Sequence, residues 1–359
     1  VKLHARSGKV IIPASSLVDG VKNHDSNITI TTDYSTFELP LHLLNLEELA
    51  KRLGVEIADL SINISQTVLR DDLQARLVKA VSEAGGSIAS VAVDFSIVVE
   101  ASNGKSIALD HFGRTFVKRS ISLAKPTQNS ATVSRFDPNT NQLSFVPSII
   151  GANEAEFMRN GNSIYTVIVL SKTFEDIANH WAKADIELLA SKLIVSGISA
   201  HQFEANRSIT RAEFAALAVR ALGLTINGEA RFSDVKANSW YSSAVATAAE
   251  AGIIKGYEDG TFRPNQFITR QELAVMVMRA MDYAGAASNS SDTVKAGVLD
   301  KFSDAGQLSW AREEVAEAIH AGIINGVTAT TIKPTAEATR AEAVVMLKRF
   351  LLASSLISK

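Results

Sequence analysis

No cysteine occurs among the 359 residues. Disulfides, thiolate metal sites and cysteine nucleophiles are therefore excluded, although the absence assigns no compartment. Charge of one sign is lacking too. Lys and Arg number 36 against 38 Asp and Glu, a formal net charge of −2. No global field draws in nucleic acid or an anionic membrane surface, so any anion recognition has to be local. No apolar run reaches the ~20 residues that cross a bilayer as a helix, and membrane insertion is not expected. Signatures of phosphate and metal sites are also missing. SNGKS (102–106) has Val99 where a P-loop needs glycine. DPNTNQ has Gln142 at the turn-glycine position of a calcium loop and Ser148 at its bidentate position. His4, His24, His42 and His111 show no metal-ligand spacing, and no G-x-S-x-G occurs. No metal, cofactor or catalytic constellation is expected.

What remains is an ordinary globular composition, 46% hydrophobic and 21% charged, with room for two or three domains. The chain starts VKLHARSGKV, and the expectation is a piece of a longer polypeptide.

The chain repeats itself three times. Phe174, Phe232 and Phe302 open FEDIANHW, FSDVKANSW and FSDAGQLSW, with Asp176, Asp234 and Asp304 two residues later. The stretches end on Trp181, Trp240 and Trp310, the only tryptophans present. A T-R-x-E motif follows 30 residues after each tryptophan (211−181, 270−240, 340−310), and a glycine (Gly197, Gly256, Gly326) lies 14 before its arginine. Apolar residues recur at helical spacing after each tryptophan, as in Ile186, Leu189, Ala190 and Leu193. They recur again after each arginine, as in Phe214, Leu217, Ala218 and Ala221. Each unit therefore reads as helix, glycine-containing loop, helix. One hairpin of ~50 residues cannot bury its apolar faces alone, so the three are expected to pack around a common axis.

Thr210 with Glu213, Thr269 with Glu272 and Thr339 with Glu342 have the form of capping boxes. Capping does not explain Arg211, Arg270 and Arg340, because a cation at a helix start faces the positive end of the dipole. Two readings stay open: an inter-repeat salt bridge to the aspartates or capping glutamates, or an anion site made of free helix amides and a guanidinium fork. The tryptophans are either core or a sugar platform. The three glycines either adopt left-handed backbone after the first helix or admit a ligand close to the chain.

At these residues the sequence resembles the S-layer homology (SLH) domain. The carrying motifs are FSDV…W, AGIIKGYEDGTFRPNQFITRQE and the flanking TRAE variants, over roughly residues 172–352. The resemblance implies an all-α pseudo-trimer with a central three-helix bundle. It implies a non-covalent anchor of a secreted protein to the Gram-positive cell wall or S-layer. The implied partner is a secondary cell-wall polysaccharide linked to peptidoglycan, in one branch ending in pyruvylated N-acetylmannosamine. Carried over from the family grooves, the implied carbohydrate-binding residues are Arg211, Arg270, Arg340, Asp176, Asp234, Asp304, Trp181, Trp240, Trp310, Gly197, Gly256 and Gly326. The second unit keeps the family's Asp259–Gly260 turn, whereas the first and third lack it, so unequal grooves are expected.

Residues 1–171 read as α+β, mainly antiparallel. β-branched runs such as NITITTDYSTFELPL, DLSINISQTV, ASVAVDFSIVVEAS, QLSFVPSII and SIYTVIVLS are interrupted by two helical patterns, NLEELAKRLG and DDLQARLVKAVSEAGG. DPNTNQ and NGK read as hairpin turns. This part is similar to the β-rich module that often precedes SLH triplets, and a spacer or stalk is expected. The expected layout is 1–171 spacer, repeats at 172–228, 229–286 and 300–353, a polar linker at 287–299 and a tail at 354–359. A monomeric anchor without turnover is the reading; the alternatives are a fragment of a glycoside-active exoenzyme or a lattice-forming S-layer subunit.

Overall fold

The computed structural model describes residues 1–127, 130–225, 228, 231–286 and 297–358. Most of the 287–299 linker segment and part of the stretch joining the first two repeats lie outside these. The chain forms two compact units, Val1–Ser171 and Lys172–Lys359.

Alternation builds the first unit. Leu60–Val68 and Val93–Ala101 bury every second residue and pair antiparallel along nine positions, from Leu60 opposite Ala101 to Val68 opposite Val93. They belong to an eight-stranded sheet ordered 143–146, 131–136, 164–170, 93–101, 60–68, 9–13, with short strands 86–88 and 106–108 added to its inner members. A six-stranded sheet runs 2–4, 27–31, 35–40, 117–122, 154–159, 148–150. Among the described residues only strands 2–4 and 27–31 pair in parallel. The inner faces share one core, in which Phe37 of the smaller sheet meets Phe95 of the larger edge-on at 5.6 Å.

Proline divides one run that the sequence presents as continuous. Pro147 has no amide to donate, and the chain leaves the larger sheet at Val146 and joins the smaller at Ser148. DPNTNQ and NGK turn hairpins, with Asn141 and Gly104 at positive φ. Helix α1 (Leu46–Leu53) starts on an Asn45 cap and stops at left-handed Gly54. Helix α2 (Asp71–Glu83) buries only Leu77 and Val81.

Among the described residues, the second unit contains six repeat helices. These are α3 (Lys183–Ser191), α4 (Arg211–Ala221), α5 (Ser242–Glu250), α6 (Arg270–Tyr283), α7 (Arg312–His320) and α8 (Arg340–Ala353). Thr210, Thr269 and Thr339 cap α4, α6 and α8, each with its N3 glutamate returning to the cap amide, so all three capping boxes form. The sequence pattern predicts a one-sided stripe on these helices. In the structure they are buried nearly all round, Phe214 through Val219 without interruption. They touch one another pairwise, and each also packs on the opening helix of the next repeat: α4 on α5, α6 on α7, and α8 back on α3. Lys348 of α8 pairs with Asp185 of α3 in this last contact.

Just before the caps, backbone hydrogen bonds close a ring. The Ile209 amide donates to the Ala338 carbonyl (3.0 Å), Ala338 to Ile268 (2.9 Å) and Ile268 to Ile209 (3.0 Å). The first two amides of each capped helix are then taken by carbonyls of a neighbouring repeat. Arg211 and Ala212 donate to Gln266 and Pro264, Arg270 and Gln271 to Ala336 and Pro334, and Arg340 and Ala341 to Arg207 and Ala205. With N3 taken by threonine, the free helix amides of the anion-site reading are absent from these helix starts. Tertiary contact satisfies the donors that a helix in isolation leaves open.

Candidate functional site

One peptide in each repeat carries the site. The carboxylate of Asp234 accepts from the amides of Phe262 (2.8 Å) and Arg263 (2.7 Å). Asp176 does the same for Phe203 and Glu204, and Asp304 for Ile332 and Lys333. These aspartates pin a loop; none pairs with the motif arginines. The pinned loop turns through positive φ at Glu204 (59°), Arg263 (57°) and Lys333 (49°), a conformation costing a non-glycine residue roughly 1–2 kcal/mol. The carbonyl on the other side of that peptide accepts the guanidinium Nε of a neighbouring repeat: Arg211 to Phe262 (2.9 Å), Arg270 to Ile332 (2.8 Å) and Arg340 to Phe203 (3.0 Å).

The same guanidiniums answer the sequence's open question about their partners. Arg211 Nη1 pairs with the capping glutamate Glu272 of the next repeat at 2.8 Å, and Arg270 pairs with Glu342. Arg340 stands 3.9 Å from Glu213, which Arg207 holds at 2.6 Å. Each arginine is buried, with 6–9% of its surface exposed. Burial alone would raise the Glu213 carboxyl, but hydrogen bonds from Arg207 and the Thr210 amide hold it below the usual range.

The glycines do not use left-handed backbone. A Cβ on Gly197, Gly256 or Gly326 would lie 2.5–2.7 Å from a ring carbon of Phe174, Phe232 or Phe302, and under 3 Å from loop carbonyls. Those phenylalanines need the space, which explains why both landmarks recur together. Left-handed residues after the opening helices are instead Leu193, Gly252 and Gly322. The tryptophans are not core: Trp181, Trp240 and Trp310 are exposed by 67%, 66% and 56%.

The second repeat's loop floors a cleft of about 820 Å³, walled by α6 and bounded by Arg211 of the first repeat and Trp310 of the third. Tyr257 lies between two guanidiniums, Arg263 at 3.9 Å and Arg211 at 4.9 Å from its ring, and its hydroxyl donates to Glu272. Hydrogen bonds from the Thr261 side chain and amide, then from Arg263, hold the Asp259 carboxyl down to about 2, so it remains ionised. Arg279 also lines this cleft. It is half-buried, and its pKa is lowered chiefly by burial, against a smaller opposing effect of the Glu314 charge; it makes no hydrogen bond or ion pair within 4 Å among the described residues. Of the residues expected from sequence, Arg211, Gly256 and Trp310 meet here. Asp234 acts from behind the loop.

Arg279 is absent from the sequence expectation, although the repeat carries its signal. Arg220, Arg279 and Arg349 each follow the motif arginine by nine residues (220−211, 279−270, 349−340). Nine residues is half a turn out of phase, so periodicity on one helix separates groups that adjacent helices bring together.

A family model for the S-layer homology domain matches residues 173–215, 231–274 and 301–344. The chain is 37% identical over 249 residues to an amylopullulanase of Thermoanaerobacterium thermosulfurigenes, covering 64% of this chain and 13% of that protein. An exoglucanase XynX of Acetivibrio thermocellus is 42% identical over 186 residues (50% and 16%), and a surface-layer 125 kDa protein of Lysinibacillus sphaericus is 32% identical over 173 (47% and 14%). The chain thus spans about a seventh of these relatives. The first match, 64% of 359 or about 230 residues, exceeds the 188 of the second unit (172–359) and extends into the first. Residues 173–344 are a triplet of S-layer homology domains, the anchoring region of a secreted protein associated with the cell wall or S-layer.

Proposed function

We propose that the second unit attaches its protein non-covalently to the wall by binding an anionic, pyruvylated secondary cell-wall polysaccharide in clefts between repeats. The repeats act as a pseudo-trimer around α4, α6 and α8, a reading supported by the ring of Ile209, Ile268 and Ala338 and by the return of α8 onto α3. The first unit is a spacer, and the chain works as a monomer.

The observation that carries the reading is Arg279. A half-buried guanidinium that makes no hydrogen bond or close ion pair among the described residues, with Glu314 acting on it only as a nearby charge, retains its donors for a ligand while already bearing part of the desolvation cost. Arg211 is charge-balanced by Glu272, Arg263 offers the donors that Asp259 leaves unused at the rim, and the exposed Trp310 gives an apolar face for a sugar ring. A carboxylate ketal on a pyranose matches this combination of donors and apolar surface.

Co-sedimentation with purified sacculi tests it. Native sacculi are expected to pellet the chain, and sacculi stripped of secondary polymer are not. Arg279→Ala is expected to weaken pelleting at least tenfold with an unchanged circular dichroism spectrum. Equal pelleting with stripped walls would sink the proposal.

A further inference from the structure

The three repeats hold one residue in the same place and give it different charges. Glu204, Arg263 and Lys333 each donate their amide to a repeat aspartate at 2.7 Å, each at positive φ. Each follows the residue whose carbonyl accepts the neighbouring arginine's Nε. The backbone at this position is therefore fixed relative to the guanidinium in all three repeats, and only the side chain varies. In the second repeat it is a guanidinium lining the cleft, paired with Asp259 at 3.0 Å through one terminal nitrogen and keeping its other donors. In the third it is an ammonium with no ion-pair partner among the described residues. In the first it is a carboxylate, which only accepts.

The surroundings of Glu204 reinforce the difference. Arg207 occupies the position that Gln266 and Ala336 hold in the other repeats. Its Nε pairs with Glu204 at 3.1 Å and its terminal nitrogens with Glu213, so the added cation is spent on two carboxylates. Arg340 faces three carboxylates, Asp176, Glu204 and Glu213. Ile198, like Val327 of the third repeat, stands where Tyr257 supports Arg263, so the aromatic support belongs to the second repeat.

We infer that Glu204 is a specificity-determining residue: it denies anionic saccharides the first repeat's equivalent of the second repeat's cleft, so the chain takes up acidic sugar at the second and third repeats only. The inference rests on the reading of these clefts as saccharide sites. An anionic ligand entering the first cleft would meet an acceptor where the others offer a donor, with unfavourable charge added to a missing hydrogen bond.

The three repeats also supply variants suited to the frame. Lysine is tolerated at φ 49° in the third repeat and glutamate at 59° in the first, so Glu204→Lys and Arg263→Glu each install a side chain that the loop already accommodates. Isothermal titration of the whole chain with the methyl glycoside of pyruvylated N-acetylmannosamine reads the outcome as stoichiometry. Two equivalents are expected for the wild type, three for Glu204→Lys and one for Arg263→Glu, with melting temperatures checked for each. Three equivalents in the wild type, or no gain in Glu204→Lys, overturns the inference and leaves the saccharide reading standing. No binding by the wild type overturns the saccharide reading and the inference with it.

Discussion

Buried arginine solves different problems in the two units. Arg119 lies fully buried in the sandwich, its Cζ 4.5 Å from the Phe37 ring and 5.5 Å from Phe95, with carbonyls of Val117, Arg159 and Gly161 and the Asn162 side chain as acceptors. It has no carboxylate partner among the described residues, and burial lowers its pKa to about 10. Arg211, Arg270 and Arg340 each donate to two carbonyls and face a capping glutamate across a repeat boundary. The first ties one core together through neutral acceptors and rings. The others tie separate helical hairpins together, and the glutamate they hold also caps a helix, so inter-repeat contact and helix start are coupled. An ion pair is the economical device where the same contact must be made three times. A single core can recruit whichever carbonyls its loops bring near.

The sharpest way to break the comparison is Arg119→Ala. It takes a donor from four acceptors, of which the Gly161 carbonyl keeps the Tyr165 hydroxyl, and opens a cavity among the rings of Phe37, Phe95 and Tyr165, so a loss of about 4 kcal/mol is expected in the first unit. All three tryptophans belong to the second unit. Urea unfolding should therefore show the loss in far-UV circular dichroism and leave the tryptophan transition where it was.

Arg211→Ala should do the reverse. It leaves Glu272 with a weakened partner set in a seam where both groups are mostly buried, costing about 3 kcal/mol, visible in tryptophan fluorescence. Next comes Gly256→Ala, whose methyl would collide with Phe232 and the Thr261 carbonyl; overpacking of this kind costs about 2 kcal/mol. If the glycine served ligand approach alone, this variant would lose wall binding at unchanged stability.

The smallest effect concerns pH. Burial lowers the Lys192 pKa from 10.5 to about 8. Between these values the unfolded chain binds more protons than the folded one, so the penalty this residue places on folding is full below pH 8 and is relieved as pH rises to 10.5. Lys192→Met is expected to stabilise the second unit by about 1–2 kcal/mol below pH 8, with the gain shrinking above it. The acid limb slopes the same way, stability again rising with pH, but here the ionised group stabilises the fold. Glu213 is held below its ordinary 4.5, so its contribution is present above that value and is lost as pH falls through the folded one. Melting temperatures across pH 3–10 check both limbs.

Repetition decided how much was legible. In the second unit any requirement of the fold appears three times, and coincidences of spacing expose helices, caps, loop glycines and the arginine without knowledge of contacts. The first unit has no such redundancy. Its long alternating strands can be read, but NITITTDYSTFELPL bends into a hairpin and QLSFVPSII divides between two sheets at Pro147. Glu154–Arg159, with glutamates on its outer positions, forms a strand that no β-branched run announces. Partners across the sandwich lie far apart in sequence, and a pattern of period two says which side is buried but not what lies opposite.

By itself, then, the sequence determined the three units, their capped helices, the pairing of aromatic and glycine landmarks, and the family. These depend on local backbone preference and on spacing, which a linear string records. Tertiary structure decided the rest. It consumed the helix amides with neighbouring carbonyls, turned the aspartates onto loop peptides, left the tryptophans exposed, and brought Arg279 beside Arg211. Each of those outcomes depends on which groups desolvate one another across repeats, and only packing sets that distance.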